Sequence, residues 1–258
     1  MEPNSDKFLK EFLDEKYDQY NRPEFIASDP IQIPHSYTLS QDIEIAGFLT
    51  ATIAWGQRKS IITNANKLMG LMGNSPYEFV MEADAYQLAK LRQFVHRTFQ
   101  GEDCLFFVQS LRHIYKDCGG LEKVFSLAYL KGNDIEASLI GFREVFFETN
   151  CLPRTFKHVS DVRKGASAKR LNMFLRWMVR TDNRGVDFGL WNSIPSSALY
   201  LPLDLHTGNV TRKLGLLTRK QNDWQAVQEV TAKLREFDPH DPVKYDFALF
   251  GLGIFEKF

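Results

Sequence analysis

Cysteine is scarce in this 258-residue chain: Cys104, Cys118 and Cys151 stand far apart, with no C-x-x-C pair. Three separated thiols cannot build a disulfide framework, a four-thiolate zinc site or an iron–sulfur cluster, and they fit a reducing compartment. The histidines are scattered and none falls in an H-E-x-x-H pattern, so no metal site is expected. Long apolar runs are missing as well: none reaches the roughly 18 residues a membrane helix needs. The start Met1-Glu2-Pro3-Asn4-Ser5-Asp6 lacks the basic and apolar regions of a signal peptide. Clean alternation of apolar and polar residues, the mark of strands, is weak throughout. Net charge is absent too, with 32 basic and 32 acidic residues, and nucleic-acid-binding domains are usually basic. What remains, 44% hydrophobic and 25% charged residues, is ordinary for a globular protein. The expectation is a soluble, cytoplasmic, monomeric protein without a cofactor.

The charge balance hides a segregation along the chain. Residues 1–50 hold 4 basic and 10 acidic side chains, whereas residues 151–200 hold 9 basic and 3 acidic ones. The basic block is Arg154, Lys157, Arg163, Lys164, Lys169, Arg170, Arg176, Arg180 and Arg184. Such asymmetry is what a face that attracts an anion looks like in sequence, and equally what a solvated helix face looks like.

The dominant period is helical. Leu171, Phe174, Leu175 and Met178 recur at i, i+3, i+4 and i+7, one apolar stripe of a helix, with Lys169, Arg176 and Arg180 on the opposite side. Phe8, Phe12 and Leu13 mark an N-terminal helix, and Ile43 to Ile53 another with Ser40 as its N-cap. Further helices are expected at 58–71, 103–117, 120–130, 133–148, 206–214 and 222–236. Asp241-Pro242 reads as the opening of a last helix through Phe250. About ten helices with short joints predict an all-α, two-lobed bundle. Lobe A spans about 40–165, and lobe B spans about 1–39 plus 166–258.

Two segments carry chemistry. In the first, Arg163-Lys164-Gly165-Ala166-Ser167-Ala168 turns into a helix that starts at Lys169 and Arg170, and a helix start with exposed amides attracts anions. The dipole at that end disfavours an ammonium and so favours the neutral amine of a nucleophile. The second is Leu201-Pro202-Leu203-Asp204-Leu205-His206, where Asp204 precedes a helix that its carboxylate can cap. Thirty-five residues separate Lys169 from Asp204, enough for the chain to run out along one helix and return. A lysine amine facing such a carboxylate is a layout for Schiff-base chemistry at a sugar carbon. The plainer readings are a solvated lysine and an ordinary helix cap.

At these residues the sequence resembles the helix-hairpin-helix DNA glycosylase superfamily. Pro202-Leu203-Asp204-Leu205-His206 is similar to its Pro-Val-Asp-x-His-type motif, and Lys169 matches by position the lysine of its bifunctional members. The Lys–Asp spacing is most similar to the archaeal 8-oxoguanine glycosylase branch. Asp29-Pro30 and Ala54-Trp55-Gly56-Gln57-Arg58 are similar to the superfamily's early helix and gap-filling turn. Of its Leu-Pro-Gly-x-Gly hairpin, the region Val162–Ala168 keeps only Gly165, and residues 181–203 are an insertion. The whole chain also resembles an uncharacterised bacterial family, domain of unknown function 2400, most strongly over Lys169–Arg180, Pro202–Leu217 and Asp238–Gly253.

The resemblance implies base-excision repair: a DNA glycosylase with AP-lyase activity on a damaged base, oxidised purines being the class suggested by the nearest branch. It implies that Lys169 attacks C1′ and forms a Schiff base, and that Asp204 takes up a proton and steadies the sugar cation. His206 would contact a phosphate, and Gln57 would fill the gap left by the flipped nucleotide. Arg58, Arg163, Lys164, Gly165, Ser167 and Arg170 would complete the contact with double-stranded DNA. Trp55, Trp191, Phe247 and Phe250 are candidate walls of a base pocket; the alternative for each is core packing. A monovalent cation at the hairpin and a nucleoid-associated location belong to the same expectation. Two other readings stay open: a non-catalytic nucleic-acid-binding protein on this scaffold, and a helical protein-interaction module.

Overall fold

In the computed structural model, which describes residues 3–258, twelve α-helices and one two-stranded hairpin carry the chain. They are α1 (Pro3–Tyr20), α2 (Ser40–Thr52), α3 (Arg58–Leu71), α4 (Pro76–Glu82), α5 (Ala85–Lys90), β1 (Val95–His96), β2 (Phe99–Gln100), α6 (Gly101–Asp117), α7 (Leu121–Gly132) and α8 (Ile135–Phe146). After a largely extended stretch with short 3-10 turns come α9 (Lys169–Val179), α10 (Leu205–Lys213), α11 (Trp224–Phe237) and α12 (Tyr245–Ile254). The protein is all-α. Ser40 is the first residue of α2 and not its cap; Leu39 holds the cap position without a side-chain bond. Asp241-Pro242 opens a 3-10 turn, Pro242–Lys244, and α12 follows it. Among the described residues no helix is long and apolar enough to cross a membrane.

The chain divides into two compact units, residues 28–161 and residues up to Ala27 joined with Val162–Phe258. The 28–161 unit is built on aromatic packing. Phe48 (α2), Phe107 (α6), Phe125 (α7), Phe142 and Phe146 (α8) are each at most 1% exposed. Phe125 stacks on Phe142 with centroids 4.2 Å apart, and Phe107 meets Phe146 edge-on at 4.8 Å. Such pairs add about 0.5–1.5 kcal/mol each beyond the area they bury. On the rim of this unit His113 of α6 bonds Asp117 through Nδ1 and Glu148 through Nε2, both at 2.9 Å.

In the other unit α1 lies against α12, where a Cβ on Gly251 would sit 2.1 Å from the Tyr20 ring, so only glycine permits that approach. Helix α9 is the centre of this unit. Its apolar stripe is buried as its spacing predicts, but so is the opposite face: Arg176 is 4% and Arg180 0% exposed. Residues 181–203 cover part of that face, with Asp182 and Asp187 on its arginines. The backbone of this segment satisfies the carbonyls at the end of α9, Phe188 N bonding Trp177 O at 2.8 Å and Trp191 N bonding Met178 O at 2.9 Å. Those carbonyls have no partner inside the helix.

Arg180 donates to Asp182 (2.7 Å) and Asp187 (3.0 Å) through Nη1, to Tyr17 Oη (2.9 Å) through Nη2, and to Asp241 (3.0 and 3.1 Å) through Nε. Burial pushes the Asp182 carboxyl up, but Arg180, the Arg184 amide and Asn21 together outweigh it and hold this acid below the usual range. Burial wins at Asp241, which is raised.

Replacing Arg180 by Met leaves Asp187 buried without this partner. The expected cost is about 3–5 kcal/mol, the scale for breaking a buried pair, measured as a fall in the urea midpoint. His113 gives a pH-dependent case. Its hydrogen bonds to Asp117 and then Glu148 raise its pKa despite partial burial. Stability from a raised histidine is present below about 6.5 and is lost as pH rises through the folded value. His113→Ala is therefore expected to lower Tm at pH 5.5, by the equivalent of about 1 kcal/mol or less for such an exposed pair, and to leave it unchanged at pH 9.

Candidate functional site

The turn before α9 is short and its backbone is specific. Val162–Lys164 form one 3-10 turn, Gly165 takes φ +79°, and Ala168 takes φ +50° as the cap residue of α9. A 3-10 turn, and not an α-helix, precedes Gly165, so the helix on the first side of a helix-hairpin-helix is absent here. The turn is anchored to α11: Ala166 forms an antiparallel bridge with Asp223, and Trp224 N donates to Gly165 O at 3.0 Å. Arg163, Lys164 and Gly165 are exposed, Ser167 is half-buried, and the Ser167 carbonyl accepts from Asn172 Nδ2 at 3.2 Å. Helix α9 opens without a side-chain cap.

Lys169 is the first residue of α9 and is half-buried. Its Nζ lies 3.6 Å from Met173 Sδ, one turn further along the same face. Arg170 beside it is half-buried, and desolvation brings its guanidinium down to about 10.

Asp204 is the N-cap of α10. Its Oδ1 accepts from Thr207 N at 2.9 Å, the capping bond expected of an Asp in extended backbone before a helix. Its carbonyl accepts from Gly208 N and Asn222 Nδ2, both at 2.9 Å. Asn222 in turn accepts from Arg212 Nη2 at 2.6 Å. This chain needs a glycine: a Cβ on Gly208 would stand 2.6 Å from Asn222 Oδ1. Leu205 and His206 follow Asp204 and are exposed.

Lys169 and Asp204 lie in the same compact unit, and both act on the charge of a third residue. Asp246 of α12 is 6% exposed and is ion-paired with Arg176 Nη1. Burial is the main reason its carboxyl is pushed up to about 6; Arg176 opposes that, Asp204 adds to it, Lys169 opposes it, and Asp187 adds to it. Asp246 therefore senses the charges of both sequence-predicted residues. Sequence reasoning missed Asp246, although it is the single carboxylate of a helix reading Tyr-Asp-Phe-Ala-Leu-Phe-Gly-Leu-Gly-Ile.

A family model of proteins of unknown function, DUF2400, matches residues 29–255. The chain belongs to this family. No curated protein and no solved structure matches it. The DUF2400 match runs through both helix starts, α9 and α10, and through Asp246.

The remaining predicted site residues separate into two groups. In the unit holding Lys169, Trp191 and Phe247 are 1% and 0% exposed. Trp191 packs edge-on to Phe174, and Phe247 lies under the Arg176 guanidinium. They are core residues and not walls of an open pocket, because both faces of α9 are covered. Phe250 is half-buried and meets Phe25 edge-on at 5.8 Å. In the 28–161 unit, Gln57 is exposed as the cap residue of α3 and Arg58 is its first residue. Trp55 stands edge-on to His96 at 5.1 Å and stacks on His158 at 6.1 Å. Among the described residues no group of three or more His, Cys, Asp or Glu side chains is arranged to hold a metal ion.

The Gly208–Asn222–Asp204 contact makes a specific prediction. Asn222→Ala removes a donor from the Asp204 carbonyl and an acceptor from Arg212, and is expected to cost about 1–3 kcal/mol. Gly208→Ala displaces the same side chain. The double substitution is expected to cost less than the two single ones added, as residues in contact do; urea unfolding of the four proteins measures this.

Proposed function

We propose that the protein acts on DNA as a glycosylase with AP-lyase activity, with Lys169 as the amine nucleophile and Asp204 as its carboxylate. The observation that carries this reading is that Lys169, opening α9, and Asp204, capping α10, are 35 residues apart in sequence yet share one compact unit, each near enough to the buried Asp246 to act on its charge. An amine and a carboxylate that both act on a perturbed buried acid are what a site that moves protons is expected to contain. The exposed Arg163 and Lys164 beside the uncapped start of α9 supply the positive surface that a phosphate backbone requires.

In this reading the damaged nucleotide is turned out of the duplex at a cost of a few kcal/mol. The Lys169 amine bonds to C1′ as the N-glycosidic bond breaks, and the base leaves with its electron pair and takes a proton. The amine proton passes to Asp204. The sugar opens to a Schiff base, and β-elimination expels the 3′ phosphate. Oxidised purines are the substrate class proposed, and double-stranded DNA is the partner.

Borohydride treatment of the protein on a duplex carrying an abasic site or an oxidised purine is expected to trap a covalent adduct. Lys169→Ala should abolish it. Asp204→Asn, which retains an N-cap, should slow it by about 100-fold or more, the scale of lost acid–base catalysis. A wild-type protein that gives no adduct, or a Lys169→Ala variant that traps equally well, overturns the lysine mechanism. Salt-sensitive binding without any product would leave a non-catalytic DNA-binding protein in its place.

A further inference from the structure

The proposed mechanism uses Lys169 and Asp204 and leaves Asp246 unexplained. A carboxylate with 6% exposure on the most apolar helix of its unit is costly to keep charged. Its ion pair with Arg176 offsets that cost, but Arg176 already has a second carboxylate, Asp187, 3.2 Å from its Nε. One guanidinium thus serves two buried acids. Asp187 takes Nε and Asp246 takes Nη1, so pairing with Arg176 and fastening α12 to α9 is one reason for this acid.

The geometry of α9 gives another reason. Lys169, Met173 and Arg176 lie at i, i+4 and i+7, on one face of the helix. Lys169 extends along that face, with its Nζ against Met173 Sδ, toward the turn where Arg176 holds Asp246. Arg176 of α9 contacts Asp246 directly, and the other charges near enough to act on it are Lys169 from α9, Asp204 from the cap of α10, and Asp187 from residues 181–203.

We infer that Asp246 is a positioning residue of the Lys169 site: held by Arg176, it sets a second negative charge beside that of Asp204, facing the lysine and any cation that forms on the substrate. The inference rests on the reading of Lys169 as the reacting amine, and it explains why α12 carries an acid where its other residues are apolar or aromatic. Protonation of Asp246 at about 6 removes that charge, so the site weakens as pH falls through this value.

Two measurements test this, and the first needs no DNA. The Asp246 Cγ resonance of 13C-labelled protein is followed against pH in the wild type and in Lys169→Met, a change at a half-buried position beside Met173. Removing the positive charge is expected to raise the Asp246 midpoint by about half a unit or more; an unchanged midpoint overturns the inference. The second is the borohydride-trapping rate on abasic DNA against pH. The wild-type rate is expected to fall as pH drops through about 6. Asp246→Asn should be slower at neutral pH by about tenfold, the scale of one unit charge acting over several ångströms at an effective dielectric near 20, and should lack that acid limb. Asp246→Glu should restore both. An Asp246→Asn protein that keeps the wild-type rate and limb overturns the inference, as does one that is uniformly slower with the limb retained, which is what a purely structural role would give. If the wild type traps nothing, the proposed function fails, and the resonance titration still decides whether Asp246 and Lys169 are coupled.

Discussion

Two arginines on the second half of α9 are buried among carboxylates, and much of the surrounding unit is arranged around them. Removing a guanidinium from water costs several kcal/mol, recovered only when its donors find acceptors in good geometry. Arg180 reaches Asp182 and Asp187 of the inserted segment, Asp241 ahead of α12, and Tyr17 of α1. Arg176 reaches Asp187 and Asp246. The partners come from three parts of the chain, so the pairs fix where α1, residues 181–203 and α12 stand against α9. The rings of Tyr17 and Phe247 lie 4.4–5.4 Å from these two guanidinium centres and close the remaining sides. A helix held this firmly at its C-terminal half gives Lys169 at its first residue a fixed origin.

The same pairs change what the charge distribution means. Counted along the sequence, residues 151–200 are a basic block of nine cations. In the fold, Arg154 is bonded to Gln100 and ion-paired with the buried Asp103, Arg176 and Arg180 lie in the interior, and Arg184 pairs with Asp18. Lys157, Arg163 and Lys164 are exposed, and Lys169 and Arg170 are half-buried. A field outside the protein comes only from charge left uncompensated near the surface. Of this block, the exposed cations in the unit holding Lys169 are Arg163 and Lys164, in the short turn before α9.

Local periodicity made much of the fold legible. Helix α3 was readable as 58–71 because its apolar spacing begins and ends within one segment, and the stripe Leu171, Phe174, Leu175 and Met178 is buried as its spacing requires. The far side of α9 was not readable. Lys169, Arg176 and Arg180 have the pattern of a solvated face, and the return of residues 181–203, with α1 and α12, over that face makes most of it interior. Periodicity records which residues share a side of a helix; it holds no information on whether a distant segment will cover the polar side. Trp191 and Phe247 were misjudged for the same reason, since an aromatic side chain suits a pocket wall and a core equally well. Asp204 could be read because a cap is a local device, whereas Asp246 depends on a contact with a residue 70 positions away.

The two helix starts at the candidate site are satisfied in different ways, and the difference matters for any anion that approaches. Asp204 places its own carboxylate on the amides of α10, so the positive end of that helix is already occupied. Helix α9 begins after Ala168 in left-handed backbone, with no side chain on its amides. That conformation costs of order 1–3 kcal/mol for a residue other than glycine, and it is held by the bridge from Ala166 to Asp223 and the bond from Trp224 to Gly165. The result is one filled and one uncapped positive end on neighbouring helices. The uncapped end lies beside Lys169, and the filled end carries the negative charge of Asp204. On electrostatic grounds an anion is attracted to the first and repelled by the second.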